Sequence, residues 1–439
     1  ATTEIYTLSL HDALPICAAM ATTMFSSVAV HAEGDDEGEI YMFISQPEYA
    51  DAITALIDEY KNVEPGVTIN YETTQNDYPT LLKAKLNSGE CPDIFSSTSG
   101  KEIETYKEYS LDLTGQPLVD AMDDNVAAAM KDANGEGCYG MAIKGNYFGL
   151  IYNQDLLDKA GVEKVPETMT ELKDCVEKLK AADITPFTSG YAEWWVFKHV
   201  FQHFADAASD DVQKMVAGFE DGSDSLENYP ILTDNFFEFI DLVKDNGDQK
   251  PLETDLSGEE AALAAGKAAI MIGQGAWVES DLMKINPDLK ITFAGYPVDE
   301  DASHCQVITG SDQALRVSKD SENQEIVLNF LNWWYTSDYG KAWFTDVAGV
   351  VPPIKGDFDT EYEVIKQGSA SVEEKGAAPL EIIYSTDSFH QAFGEAMQAY
   401  VEGSASKEDT ISTIEQKYQE IDRKNTRLNS SHITISYAV

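Results

Sequence analysis

Near the middle of the chain, Ala264–Val278 reads AAGKAAIMIGQGAWV: small residues lead into a fully apolar run, Ala268 to Ile272, which breaks on Gly273 and Gly275 and delivers Trp277. An uninterrupted apolar run that short predicts a strand buried on both faces, the habit of a parallel sheet under helices. In such sheets ligands bind just beyond the carboxyl ends of the strands. Trp277 falls at that end, on a glycine turn that permits close approach of backbone and ring to a ligand. A core role for Trp277 is the alternative.

A chain of 439 residues is too long for one simple core and predicts two domains. Its hydrophobic fraction of 43% is that of a folded protein. The net charge of −47 excludes nucleic acid and anionic membrane surfaces as partners, because both repel it. It leaves both neutral and cationic ligands open.

The ends differ from the middle. Residues 1–16 and 422–439 resemble translated sequencing-adapter fragments, and two of the three arginines, Arg423 and Arg427, lie in the second of them. Both stretches are expected to be disordered or poorly packed. Residues 17–32 are apolar and end in small residues, with Val30 and Ala32 where a signal peptidase would cut; an acidic stretch follows. They read as the remnant of a secretory signal peptide, too short and interrupted to span a membrane. Leu14 to Cys17 imitates a lipoprotein cleavage box, which leaves a lipid-anchored form open beside free secretion. Secretion permits disulfides, and Cys91, Cys138, Cys175 and Cys305 allow three pairings that spacing does not decide.

Along the remaining chain, strands at Ile40–Ile44, Val67–Tyr71 and Asp93–Phe95 alternate with helices at Tyr49–Tyr60 and after Pro79, whose inner face is read as Leu81, Leu82, Ala84 and Leu86. That alternation begins a parallel sheet with right-handed crossovers. Gly135–Gly140 spells G-x-G-x-x-G, but a turn precedes it and a strand follows, so it is a hairpin turn and not a dinucleotide site. Asn323–Tyr335, Ser385–Glu402 and Lys407–Ile421 read as amphipathic helices.

Four segments in order carry a family resemblance: KLNSGECPDIF (85–95), YNQDLLDKAG (152–161) followed by PETMTEL (166–172), AAGKAAIMIGQGAW (264–277) and AGVVPP (348–353). Together they resemble the extracellular solute-binding proteins of ABC importers, the carbohydrate-binding group typified by maltose-binding protein. Met169 stands where that family usually has tryptophan. The resemblance implies an α/β fold of two discontinuous lobes joined by hinge crossings, the type II periplasmic-binding-protein fold. Residues 33–145 and 310–348 would form the N-terminal lobe, and residues 146–309 and 349–421 the other. It further implies a monomer that needs no cofactor or metal, takes a carbohydrate between its lobes, and hands it to membrane permease subunits of the transporter.

Sugars offer hydroxyl edges and apolar C–H faces, so their sites need aromatic plates beside carboxylates and amides. Ser189–Trp195 supplies these in one loop: Tyr191, Glu193, Trp194 and Trp195 after a glycine. Adjacent tryptophans face different ways, so one of Trp194 and Trp195 meets ligand and one packs. By the resemblance, Gln46, Ser97 and Thr98 line the first lobe, Asn146 and Tyr147 stand at the first crossing, and Asp312 begins the return. Asp387 and His390 open a late helix that, with Phe389, lines the site in some relatives.

Two other classes compete. His199 and His203 stand at i and i+4, as a metal pair would, but the glutamate of H-E-x-x-H and a third ligand are missing. A secreted carbohydrate-active hydrolase would need two facing carboxylates, and 77 acidic residues always offer a pair. A binding protein for a polyamine, amino acid or metal chelate is the other rival.

Overall fold

The structure is a computed structural model that describes residues 37–74, 78–356, 358–380 and 385–435, with the side chains of 79, 387, 388 and 422–435 outside that description. The adapter-like stretch 1–16, the signal remnant 17–32 and the Asp387 side chain therefore lie outside it.

Strand β1 (Gly38–Ile44) carries Ile40, Met42, Phe43 and Ile44, none of which is exposed. It pairs in parallel with β2 (Val67–Thr73) on one side and β3 (Ile94–Thr98) on the other. The helix Ala50–Val63 crosses between β1 and β2, burying Ile53, Leu56 and Tyr60 at helical spacing. The next helix, Tyr78–Ser88, presents a narrower stripe than its composition suggests. Tyr78 and Leu82 are buried at i and i+4, Leu86 is half-buried, and Leu81 and Ala84 face solvent. A single residue step of about 100° separates Leu81 from the buried Leu82.

The chain then reaches β4 (Met141–Ala142), and β5 (Asn146–Asn153) begins a second sheet. That sheet also holds β6 (Thr185–Thr188), β7 (Ala268–Gly275), β8 (Ile291–Ala294) and β9 (Val307–Gly310). The return is immediate: β10 (Gln313–Val317) pairs antiparallel with β3 and β4 in the first sheet. A third passage brings β11 (Ala377–Pro379) alongside β9. The first sheet runs β2-β1-β3-β10-β4; the second runs β11-β9-β5-β7-β6, with β8 also on β5.

β7 is buried at all eight positions, as its apolar run predicts. Its sheet, however, is mixed rather than parallel: β7 is parallel to β6 and antiparallel to β5. Full burial on both faces therefore follows from helices covering the sheet, whichever way the neighbours run.

Each sheet has its own core. The first gathers Ile40, Met42, Leu315, Phe330, Trp334 and Trp343, and the second Leu150, Val200, Phe204, Phe236, Ile270 and Phe393. After the Gln324–Thr336 helix, Val350 and Ile354 still pack in the first core, while Val351 and Val364 pack with the β7 side of the second. The last helix runs Lys407–Ile435, past the Ile421 boundary read from the sequence. Gly135–Gly140 forms a turn closed by the Lys131–Cys138 bridge, with Asp132 Oδ1 accepting from the Glu136 and Gly137 N–H groups. Cys91, Cys138, Cys175 and Cys305 are all free thiols. This two-sheet arrangement is the type II periplasmic-binding fold.

Candidate functional site

Where the chain passes between the sheets, three polar side chains meet. Asn146, at the start of β5, donates through Nδ2 to Asp312 Oδ1 at 2.8 Å. Lys144, two residues earlier, donates to Asn146 Oδ1 at 2.8 Å and lies 3.4 Å from Asp312 Oδ1. Lys144 and Asn146 are almost fully buried. A buried ammonium is tolerable only when paired and hydrogen-bonded, and here it is both. Burial pushes the Asp312 carboxyl up, but the Lys144 and Lys198 ammoniums outweigh it and hold it below its ordinary value.

Trp277 stands beside this cluster. It lies on the single turn Ala276–Val278 that follows β7, half-buried, with Lys144 Nζ 5.4 Å from its ring centroid. Phe148 and His199 meet it edge-on at 5.2 and 5.6 Å. Gly275 makes the placement possible, because a Cβ there would fall 2.4 Å from the indole and 2.3 Å from the Tyr147 carbonyl oxygen. The ring therefore keeps a fixed orientation while part of its surface stays accessible.

The second aromatic segment is the loop from Ser189 to Glu193 and the helix Trp194–Ala208. Asp248 accepts from Ser189 N–H at 3.1 Å and Thr188 Oγ1–H at 3.2 Å, and Gln398 Nε2 bridges the Tyr191 and Ala192 carbonyls at 3.0 Å each. Tyr191 is wholly buried and stacks on Phe197 at 4.5 Å, so it is core. Trp194 and Trp195 are both half-buried. Trp195 packs against the second core and lies 5.1 Å from the His199 ring; Trp194 carries Lys198 Nζ at 5.4 Å. Glu193 occupies the N-cap position without spending its carboxylate on a capping bond.

His199 Nδ1 lies 2.9 Å from the Gly273 carbonyl oxygen, while His203 stacks on Tyr296 at 4.0 Å. The two imidazoles thus serve different neighbours and do not converge. Burial, then Lys198, push the His199 imidazole down to about 3, so it is neutral. His390, also buried, is held well below its usual value by burial and by the Lys198 and Lys101 ammoniums.

From the first sheet, Gln46 is buried and donates to Ser45 Oγ and Gln313 Oε1, both at 2.7 Å. Ser97 donates to the Thr98 carbonyl and accepts from Arg316 Nε at 2.8 Å. Its hydroxyl is thus engaged in holding the buried guanidinium, which also donates to Ser110 Oγ and the Glu102 carbonyl. Thr98 is half-buried at the strand end. Tyr147 alternates with Asn146 and Phe148 along β5 and sends its ring to the Glu363–Lys375 helix, 2.6 Å from where a Cβ on Gly368 would stand.

Three charged residues escape the sequence reading: Lys144, Lys198 and Glu48. Glu48 is exposed, and Lys144 and Asp312 bear on its carboxyl with opposite signs. Lys144 had a signal, since a lysine two residues before a buried crossing strand needs an acceptor nearby. Lys101 of the first lobe's Lys101–Tyr106 helix pairs with Glu220 of the second lobe's Val212–Asp221 helix.

Residues 45–341 match the family described as bacterial extracellular solute-binding protein. A Brucella abortus (strain 2308) protein, described only as a binding protein, is 23% identical over 77% of this chain and 82% of its own length. Among solved structures, a chitin oligosaccharide binding protein superposes with a TM-score of 0.74 at 18% identity, covering 88% of this chain and 99% of that one. A Bacillus licheniformis sugar transporter in complex with stachyose gives 0.72 at 20% identity, covering 87% of this chain and all of that one. At such identities these likenesses speak for the fold. The family match, spanning both sheets and most of the site, carries the assignment: the chain belongs to the bacterial extracellular solute-binding proteins.

Proposed function

We propose that this protein is the substrate-binding component of an ABC sugar importer, capturing a neutral oligosaccharide between its lobes and presenting the closed form to membrane permease subunits. The observation that carries the reading is Trp277 with the Lys144–Asn146–Asp312 cluster at its side. A half-buried indole offers an apolar plate to a sugar's C–H face, and amide, carboxylate and ammonium offer directed partners to its hydroxyls. Trp194, Glu193 and Gln46 extend that lining, with His390 and the Ser97–Thr98 strand end behind it. The sugar ligands named for the structural relatives, a chitin oligosaccharide and stachyose, agree with it. The lobes are taken as residues 33–145 with 310–348 and residues 146–309 with 349–421, acting as a secreted or lipid-anchored monomer.

The same geometry weighs against a polyamine. Cationic ligands are held over aromatic faces, and here lysines already stand at Trp277 and Trp194. Titration calorimetry against neutral oligosaccharides, polyamines and amino acids, beside a hydrolysis assay on the same sugars, tests the reading. Sugar binding without turnover is expected. Tight polyamine binding with no sugar binding, or release of shortened sugars, would overturn it.

A further inference from the structure

Glu259 belongs to the helix Leu256–Ala264 that leads into β7, and its side chain is fully buried. One carboxyl oxygen faces the Ile272 N–H at 3.3 Å and the other the Gln274 side-chain amide at 2.9 Å. Gln274 lies three residues before Trp277. The same carboxyl lies 2.6 Å from where a Cβ on Gly190 would stand, and Gly190 adopts a φ of +53°, where only glycine is comfortable. Gly190 lies four residues before Trp194. One buried group therefore touches both segments that carry the aromatic plates.

The ionisable groups that bear on Glu259 are Asp248 and Glu260, with the Tyr191 and Tyr296 phenols alongside; all are acids. A carboxylate among them would be a buried charge without a cation, so the neutral acid is the form that fits. Burial accordingly raises this carboxyl well above its ordinary value. A half-turn of the Gln274 amide offers the acid's O–H an acceptor in Oε1, which otherwise has no partner among the described residues.

We propose that Glu259 is a positioning residue that sets the spacing between Trp277 and Trp194 by clamping β7 to the Gly190 turn. The proposal rests on the reading of those two indoles as the sugar's plates. Two readouts separate the clamp from that reading: ¹⁹F NMR of protein labelled with 5-fluorotryptophan, and calorimetry with stachyose and chitin oligosaccharides as probes.

Glu259→Gln keeps shape and neutrality and is expected to retain both indole resonances and the wild-type affinity. Glu259→Leu, shown to be folded by circular dichroism, should shift the Trp277 and Trp194 resonances together and weaken sugar binding at least about tenfold, since small misplacements of a site are costly. A folded Glu259→Leu with unmoved resonances and affinity overturns the proposal, as does a folded Glu259→Gln that shifts both resonances as Glu259→Leu does. If the wild type binds neither sugar, the sugar reading falls while the resonances still decide the clamp.

Discussion

Lys101 and Glu220 form an ion pair between the two lobes, each side chain less than a third exposed. Neither belongs to the cluster around Trp277, and the two sit on helices that pack in different cores.

That pair adds a contact available only when the lobes are together, and a ligand's apparent affinity includes every such contact. Ion pairs at or near the surface contribute about 0–1 kcal/mol. Lys101→Glu should therefore weaken sugar binding by no more than about tenfold and reduce the compaction seen by small-angle scattering. Lys101→Glu with Glu220→Lys should recover both. A double reversal no better than the single variant would mean that the pair does not act on closure.

Trp277→Ala removes the plate, and stacking of a planar ligand on an aromatic ring contributes about 1–3 kcal/mol by analogy with bases. A loss of affinity of roughly ten- to a hundredfold or more is expected by calorimetry, with Trp277→Phe intermediate. Because Trp277 is only half-buried, the melting temperature should move far less than the affinity. An alanine variant that melts much lower yet binds normally would make Trp277 a core residue.

His199 predicts a pH dependence of stability. Its imidazole lies at about 3 in the folded protein against 6.5 for the ordinary side chain, so between those values the unfolded chain binds the extra proton. The neutral ring's contribution is complete above pH 6.5 and drains away as pH falls toward 3. At about 1.4 kcal/mol per pH unit, the wild type should lose roughly 2 kcal/mol relative to His199→Phe between pH 6.5 and 5. Urea denaturation of both proteins across that range measures the difference, and parallel profiles would contradict it.

How much of this was legible depends on which physical pattern was local. The apolar run Ala268–Ile272 announced a buried strand, and Trp277 followed it on a turn, because burial of a short run needs no knowledge of distant partners. Asn146 and Asp312 were placed at the crossings by resemblance, and the fold brings them to 2.8 Å from each other. Lys144 escapes because a buried lysine contradicts hydropathy, and its charge partner, Asp312, lies 168 residues away. Ser97 looked like a ligand group until Arg316, a residue of another strand, was found on its hydroxyl. Tyr147 was readable in principle: the period of two along β5 sends it to the face opposite Asn146. Leu81 is apolar yet exposed, because the buried stripe of its helix is narrower than the helix's apolar content.

The bond from Asn146 to Asp312 ties together two of the three passages between the sheets, those at residues 143–145 and 311–312. Two cords knotted side by side let a pair of plates swing but resist sliding and twisting. One pair of fluorescent labels, one on each lobe far from the crossings, then reads the angle between the sheets. The fold is in that sense already a transducer, whichever ligand it receives.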